Sequence, residues 1–140
     1  MRIDPASLAD LRAVEQLKYD YCWHYDNGEL DQLVALFTAD AVCELGPFGT
    51  FHGREEIRDG YAGIMASTGI PGSRRHLPAT PRIDIRGELA TAQWYLVDFR
   101  TEDGVEQPVR IFATYDDELR RVDGDWLIAR TSIVVEWREP

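Results

Sequence analysis

The sequence predicts an α+β fold, with helices first and a long, mainly antiparallel sheet after them. Three observations carry that reading. In the first half of the chain, up to Ile64, apolar residues recur at helical spacing in three segments. From Arg74 to Trp137 the chain reads as four long extended runs. Glu102-Asp103-Gly104 and Asp123-Gly124 separate pairs of those runs and are hairpin signals.

The elements follow in order. Ser7-Leu-Ala-Asp10 resembles a capping box behind Pro5, and opens a first helix. Leu8, Leu11, Val14, Leu17, Tyr21, Cys22 and Tyr25 fall on one broad arc of it. Asp26-Asn27-Gly28 supplies the stop. A second, short helix is expected over Glu29 to Phe37, from the spacing of Leu30, Leu33, Val34 and Phe37. Ala41 to Leu45 and Gly49 to His52 read as short strands about Gly46-Pro47. A third helix follows Gly53, and a Gly- and Pro-containing loop spans Ser67 to Ser73. The four extended runs are Arg74 to Ile85, Leu89 to Thr101, Gln107 to Arg121 and Trp126 to Trp137. Trp94 and Leu96 point one way, while Tyr95, Val97 and Phe99 point the other. A sheet apolar on both faces implies helices over one side and a partner subunit over the other.

The 140 residues suit a single domain, with no repeat or low-complexity tract. Asp and Glu number 25 against 15 Lys and Arg, a net charge of −10. That balance argues against nucleic acid and against an anionic membrane surface as partners, since both need a basic patch. Met1 to Asp10 contains no apolar core or cleavage site, and no run is long enough to span a bilayer. A cytoplasmic protein is expected. Cys22 and Cys43 form no metal or redox spacing and read as small buried thiols. No histidine spacing suggests a metal, and no glycine-rich phosphate loop or nucleophile elbow is present, so no cofactor is expected.

Several stretches together resemble the nuclear transport factor 2-like superfamily, specifically its SnoaL-like and scytalone-dehydratase-like branch. They are Glu15 to Tyr21, Tyr25-Asp26-Asn27-Gly28, Leu33 to Asp40 and Phe51 to Ile57. His76 ahead of Thr80-Pro81-Arg82-Ile83, Ala90 to Leu96, and Val122 to Trp126 complete the set. The resemblance implies a cystatin-like cone, in which N-terminal helices pack on a strongly curved mixed sheet and enclose an apolar pocket. It also implies a homo-oligomer, a trimer by preference over a dimer.

Within that resemblance Asp26 and His76 stand out. Dehydratases, a dehydrochlorinase and a bile-acid dehydratase of this branch pair an Asp ending the first helix with a His on the first long strand. Asp26 and His76 occupy those two places. A neutral imidazole is a base near neutral pH, and a carboxylate on its other nitrogen fixes the tautomer and stabilises the imidazolium. Taken alone, Asp26 reads as a helix-terminal turn residue and His76 as a half-buried strand histidine. The bile-acid dehydratase pattern also places a tyrosine five residues before the Asp, where Tyr21 stands. Its phenol is a candidate donor to a carbonyl or enolate, the alternative being a plain buried tyrosine. On a regular helix Tyr21 and Asp26 lie about 140° apart, so they converge only if the helix loosens near Tyr25.

Tyr25, Phe37, Leu45, Phe48, Trp94, Leu96 and Phe112 are the candidate pocket wall, suited to a small hydrophobic substrate. Lys18 falls in the middle of the apolar arc, and is expected to snorkel to the pocket rim or to pair with an acid such as Asp98. Two departures narrow the chemistry. Leu45 stands where scytalone dehydratase has a water-binding tyrosine, and Arg100 where it has a second histidine. The leading reading is a dehydratase-type lyase or an isomerase that needs no cofactor, acting on a hydrophobic carbonyl compound. The alternatives are a binding protein for an apolar metabolite, and a structural partner resembling dioxygenase β-subunits.

Overall fold

The computed structural model describes residues 5–140, so the leader expectation falls in part on residues 1–4, outside them. The first helix, α1, spans Pro5–Asp26. Ser7 lies within the helix. Helix α2 covers only Leu30–Val34, shorter than the spacing suggested. Phe37 is already the first residue of strand β1, Phe37–Glu44, where it pairs with Ile128 and is fully buried. Tertiary pairing overrides helical spacing at that point.

A 3-10 turn at Gly46–Phe48 leads into β2, Thr50–His52, and α3, Gly53–Thr68. The long strands are β3, Arg74–Arg86, β4, Leu89–Arg100, β5, Val109–Val122, and β6, Asp125–Arg138. Asp123 and Gly124 both take positive φ, as a two-residue hairpin turn requires. The β4–β5 connection is longer than its Asp-Gly suggested and occupies residues 101–108.

The six strands form one sheet in the order β2-β1-β6-β5-β4-β3. β1 and β6 run parallel and every other neighbouring pair is antiparallel. Bulges between Phe37 and Val42, Ala79 and Arg82, Phe112 and Ala113, and Glu118 and Leu119 bend the strands. The three helices pack on the inner face, and the core there includes Val14, Leu33, Phe37, Ile57, Tyr61, Trp94, Tyr115 and Ile128. The outer face exposes Leu77, Tyr95, Phe112, Val134 and Trp137, with Phe112 and Trp137 stacked at 5.1 Å between ring centroids. Among the described residues no helix is long and apolar enough to cross a membrane.

Two glycines of α3 separate packing from propensity. A Cβ at Gly60 would lie 2.7 Å from the Phe51 ring, whereas one at Gly63 meets nothing within 4 Å. Gly63→Ala is expected to raise stability by about 1 kcal/mol, the helix-propensity difference. Gly60→Ala is expected to lose about 1–3 kcal/mol from the forced contact. Urea unfolding of the two variants checks both signs.

Candidate active site

The site begins at the sheet edge. β3 is an edge strand, paired only with β4. The N–H of His76 therefore points away from the sheet, and the last residue of α1 receives it: it donates to Asp26 Oδ2 at 2.9 Å. The other carboxylate oxygen, Oδ1, lies 2.5 Å from His76 Nδ1. One carboxylate thus holds both the backbone and the ring of His76. With Asp26 acting as a twofold acceptor, the ring proton is assigned to Nδ1, which leaves the Nε2 lone pair free. Asp26 and His76 are both buried.

His76 lines a cavity of about 250 Å³. Its register partner on β4, Asp98, lies on the same inner face, with Oδ2 3.9 Å from His76 Nε2. Arg74, two residues before His76 and so on the same face, places Nη1 3.8 Å from Asp98 Oδ2. Arg74 and Asp98 are both buried and both line the cavity. Among the described residues Arg74 Nε and Asp98 Oδ1 find no hydrogen-bond partner. Buried polar atoms are rarely left so. Neither residue was among the catalytic candidates. Strand parity alone groups Arg74 with His76, and Asp98 with Leu96.

Tyr25, Leu45, Phe48 and Leu96 line the cavity, together with Ile64, Ile111, Ala113 and Ile133. Tyr25 packs its ring 4.6 Å from the His76 ring. Three of the expected wall residues lie elsewhere. Phe112 is on the outer face, because the inward parity of β5 belongs to Val109, Ile111, Ala113 and Tyr115. Phe37 is in the core beside Tyr21 and Tyr61. Trp94 faces inward but lies further along β4, at the level of Leu17 and Lys18 under α1.

Tyr21 lines the cavity, yet its hydroxyl is already engaged, 2.7 Å from that of Tyr61 and 3.4 Å from that of Tyr115. α1 stays helical through Asp26, so the loosening that would bring Tyr21 to the carboxylate does not occur. The tyrosine against the imidazole is Tyr25. Lys18 does not snorkel: it is 2% exposed and its Nζ lies 3.0 Å from Asp117 Oδ2. Thr131 donates to the same carboxylate at 2.7 Å, and the ammonium sits 3.5 Å from the centre of the Tyr115 ring. The sheet closes over the middle of α1, and Asp117 meets the charge there. Both cysteines are buried and unbridged, and burial pushes each thiol up to about 12. Among the described residues no three His, Cys, Asp or Glu side chains are grouped to hold a metal ion.

The SnoaL-like domain model matches residues 6–132. The chain belongs to the SnoaL-like family. Among solved structures, a cystatin-fold protein of unknown function from Nostoc punctiforme is 21% identical with a TM-score of 0.82, covering 100% of this chain and 98% of that one. The hexachlorocyclohexane dehydrochlorinase LinA-type3 from Novosphingobium barchaimii is 19% identical with a TM-score of 0.83, over 95% of this chain and 90% of that one. An NTF2-like protein with a cystatin-like fold from Novosphingobium aromaticivorans is 22% identical with a TM-score of 0.80, over 95% and 90%. These likenesses establish the cystatin-like, NTF2-like fold.

The tyrosines give the site a pH signature. Burial, reinforced by neighbouring phenols, holds the hydroxyls of Tyr21, Tyr61 and Tyr115 well above the ordinary 10. Burial pushes Tyr25 up to about 12, opposed by the Arg74 guanidinium beside it. The folded state thus keeps protons that the unfolded chain releases. This contribution to stability is complete below pH ~10 and is lost as pH rises above it. Alkaline titration followed by tyrosinate absorbance is expected to ionise at most two of the six tyrosines at pH ~11 while the protein stays folded. Ionisation of four or more without unfolding would contradict the placement.

Proposed function

We propose that this protein is a dehydratase-type lyase or an isomerase acting on a small hydrophobic carbonyl compound, by proton transfer at His76 and without a cofactor. The observation that supports it most is the Asp26–His76 pair, with Nε2 presented to a mainly apolar cavity and Asp26 behind it. His76 Nε2 takes the proton from the carbon next to the carbonyl, and the C–H electrons pass into an enolate. Asp26 holds the resulting imidazolium. Arg74 Nε, buried and unpartnered, donates to the enolate oxygen, and Asp98 Oδ1 accepts from the substrate hydroxyl. Tyr21, in the wall with Tyr115 and bonded to Tyr61 behind it, keeps this end of the cavity neutral.

In the lyase direction the enolate collapses, the β-carbon–oxygen bond breaks, and the imidazolium returns its proton to the leaving hydroxide as water. In the isomerase direction, a β,γ-unsaturated carbonyl gives a dienolate and the same proton returns to its γ-carbon, which moves the double bond into conjugation. The neighbouring dehydrochlorinase is named for an elimination, which is consistent with the first direction. We also propose a cytoplasmic location and a homo-oligomer joined through the outer face that exposes Tyr95 and Trp137.

A panel of β-hydroxy carbonyl compounds, screened for elimination and for hydrogen–deuterium exchange next to the carbonyl, tests the proposal. His76→Ala and Asp26→Asn are each expected to lower kcat by about 10²–10⁴-fold, the usual worth of a positioned general base. Arg74→Gln is expected to lower kcat more than it raises KM, because the enolate needs the donor more than the ketone does. Turnover unchanged in His76→Ala would end this reading. Tight ligand binding without turnover, surviving both His76→Ala and Asp26→Asn, would leave a binding protein instead.

A further inference from the structure

The rim of the cavity has a charge opposite to that of the protein. The chain carries −10, yet the lining contains three arginines, Arg74, Arg100 and Arg138, against one carboxylate, Asp98. Arg74 and Asp98 are paired in the interior. Arg100 and Arg138 lie towards solvent, with side chains 27% and 46% exposed. A single carboxylate serves both: Glu102 Oε1 lies 3.5 Å from Arg100 Nε and also meets Arg138 Nη2. One positive charge is left over at the mouth.

Strand register places this charge relative to the base. His76, Asp98, Ile111 and Arg138 occupy one cross-strand row over β3, β4, β5 and β6. Arg138 is thus three strand spacings from His76, about 14 Å along the sheet. Arg100 stands opposite Arg74, in the next inward-facing row. Ile111 lies between His76 and Arg138 in that row, and Leu96, Ala113 and Ile133 line the cavity in the rows on the side away from Arg100.

We infer that the substrate is amphipathic and anionic. Its carbonyl lies at His76 and Arg74, its apolar body crosses the cavity, and its carboxylate or other anionic group is held by Arg138 and Arg100 at the mouth. Guanidinium forks suit carboxylate and phosphate oxygens. In a chain of net charge −10, the arginine pair is the local attractor for such a group. Glu102 meets both arginines and competes with the ligand. The inference rests on the functional reading above for the position of the carbonyl, but not for the position of the anion.

Isothermal titration of the full chain with 4-phenylbutanoate and with neutral 4-phenylbutanamide, at low salt and pH ~7.5, separates the possibilities. The carboxylate is expected to bind about tenfold more tightly than the amide. Arg138→Gln and Arg100→Gln each reduce that preference to about threefold or less and leave amide affinity unchanged. Glu102→Gln moves the other way, tightening the carboxylate alone, a sign that a merely structural role for the rim does not produce. Arg110→Gln, which makes the same charge change at an exposed residue tied to Glu139, leaves the preference intact.

Equal affinities for the two probes, no binding of either, or weaker carboxylate binding in Glu102→Gln would overturn the inference. A carboxylate preference in a protein that turns over no carbonyl compound would support it while ending the lyase reading. Turnover of neutral carbonyl compounds with no preference for the anionic probe would do the reverse.

Discussion

The grip of one carboxylate on His76 organises the molecule. Asp26 ends α1, and His76 sits on the edge strand fifty residues later; two hydrogen bonds join them, one to the backbone and one to the ring. An edge strand has N–H groups with no neighbour to receive them, and a buried N–H without a partner is costly. Asp26 meets that need, and in doing so fixes the imidazole. The same contact docks the end of the first helix on the sheet and turns Nε2 towards the cavity. Fold closure and site construction are therefore one event at this position.

Around that contact, polar groups are arranged in layers of increasing exposure. Deepest is Lys18, its ammonium ion-paired with Asp117 beside the Tyr115 ring, with Thr131 donating to the same carboxylate. Removing either partner from such a pair leaves a buried charge, so its place is structural. Next are the hydroxyls of Tyr21, Tyr61 and Tyr115, bonded to one another and kept protonated by burial. At the cavity itself are Arg74 and Asp98, each with an atom that has no protein partner.

Much of this was legible in the sequence. Helical spacing located α1 and α3, and alternation with two Asp-Gly turns located the four long strands. The Asp26 and His76 positions came from resemblance, since neither residue stands out from its neighbours by spacing alone. The remainder depended on register, which a single sequence does not state. β4 and β5 carry bulky apolar side chains on both faces, so Phe112 looked as suitable a wall as Leu96 until pairing assigned it outward. Trp94 had the right face but the wrong level along its strand. Phe37 satisfied a helical pattern and was claimed by parallel pairing with β6. The acid that meets Lys18 is Asp117 and not Asp98, a choice made by the alignment of β5 with α1. The net charge was equally silent about the arginine-lined mouth.

The central claim is that Asp26 holds His76 as the Nδ1–H tautomer, with Nε2 unprotonated and facing the cavity. Long-range proton–nitrogen correlation NMR of the histidine-labelled protein, at a pH where the imidazole is neutral, reads this directly. The account predicts for His76 a pyrrole-type Nδ1, a pyridine-type Nε2 and a strongly downfield Nδ1 proton that disappears in Asp26→Asn. A dominant Nε2–H tautomer, or rapid averaging of the two nitrogens in the folded protein, would contradict it.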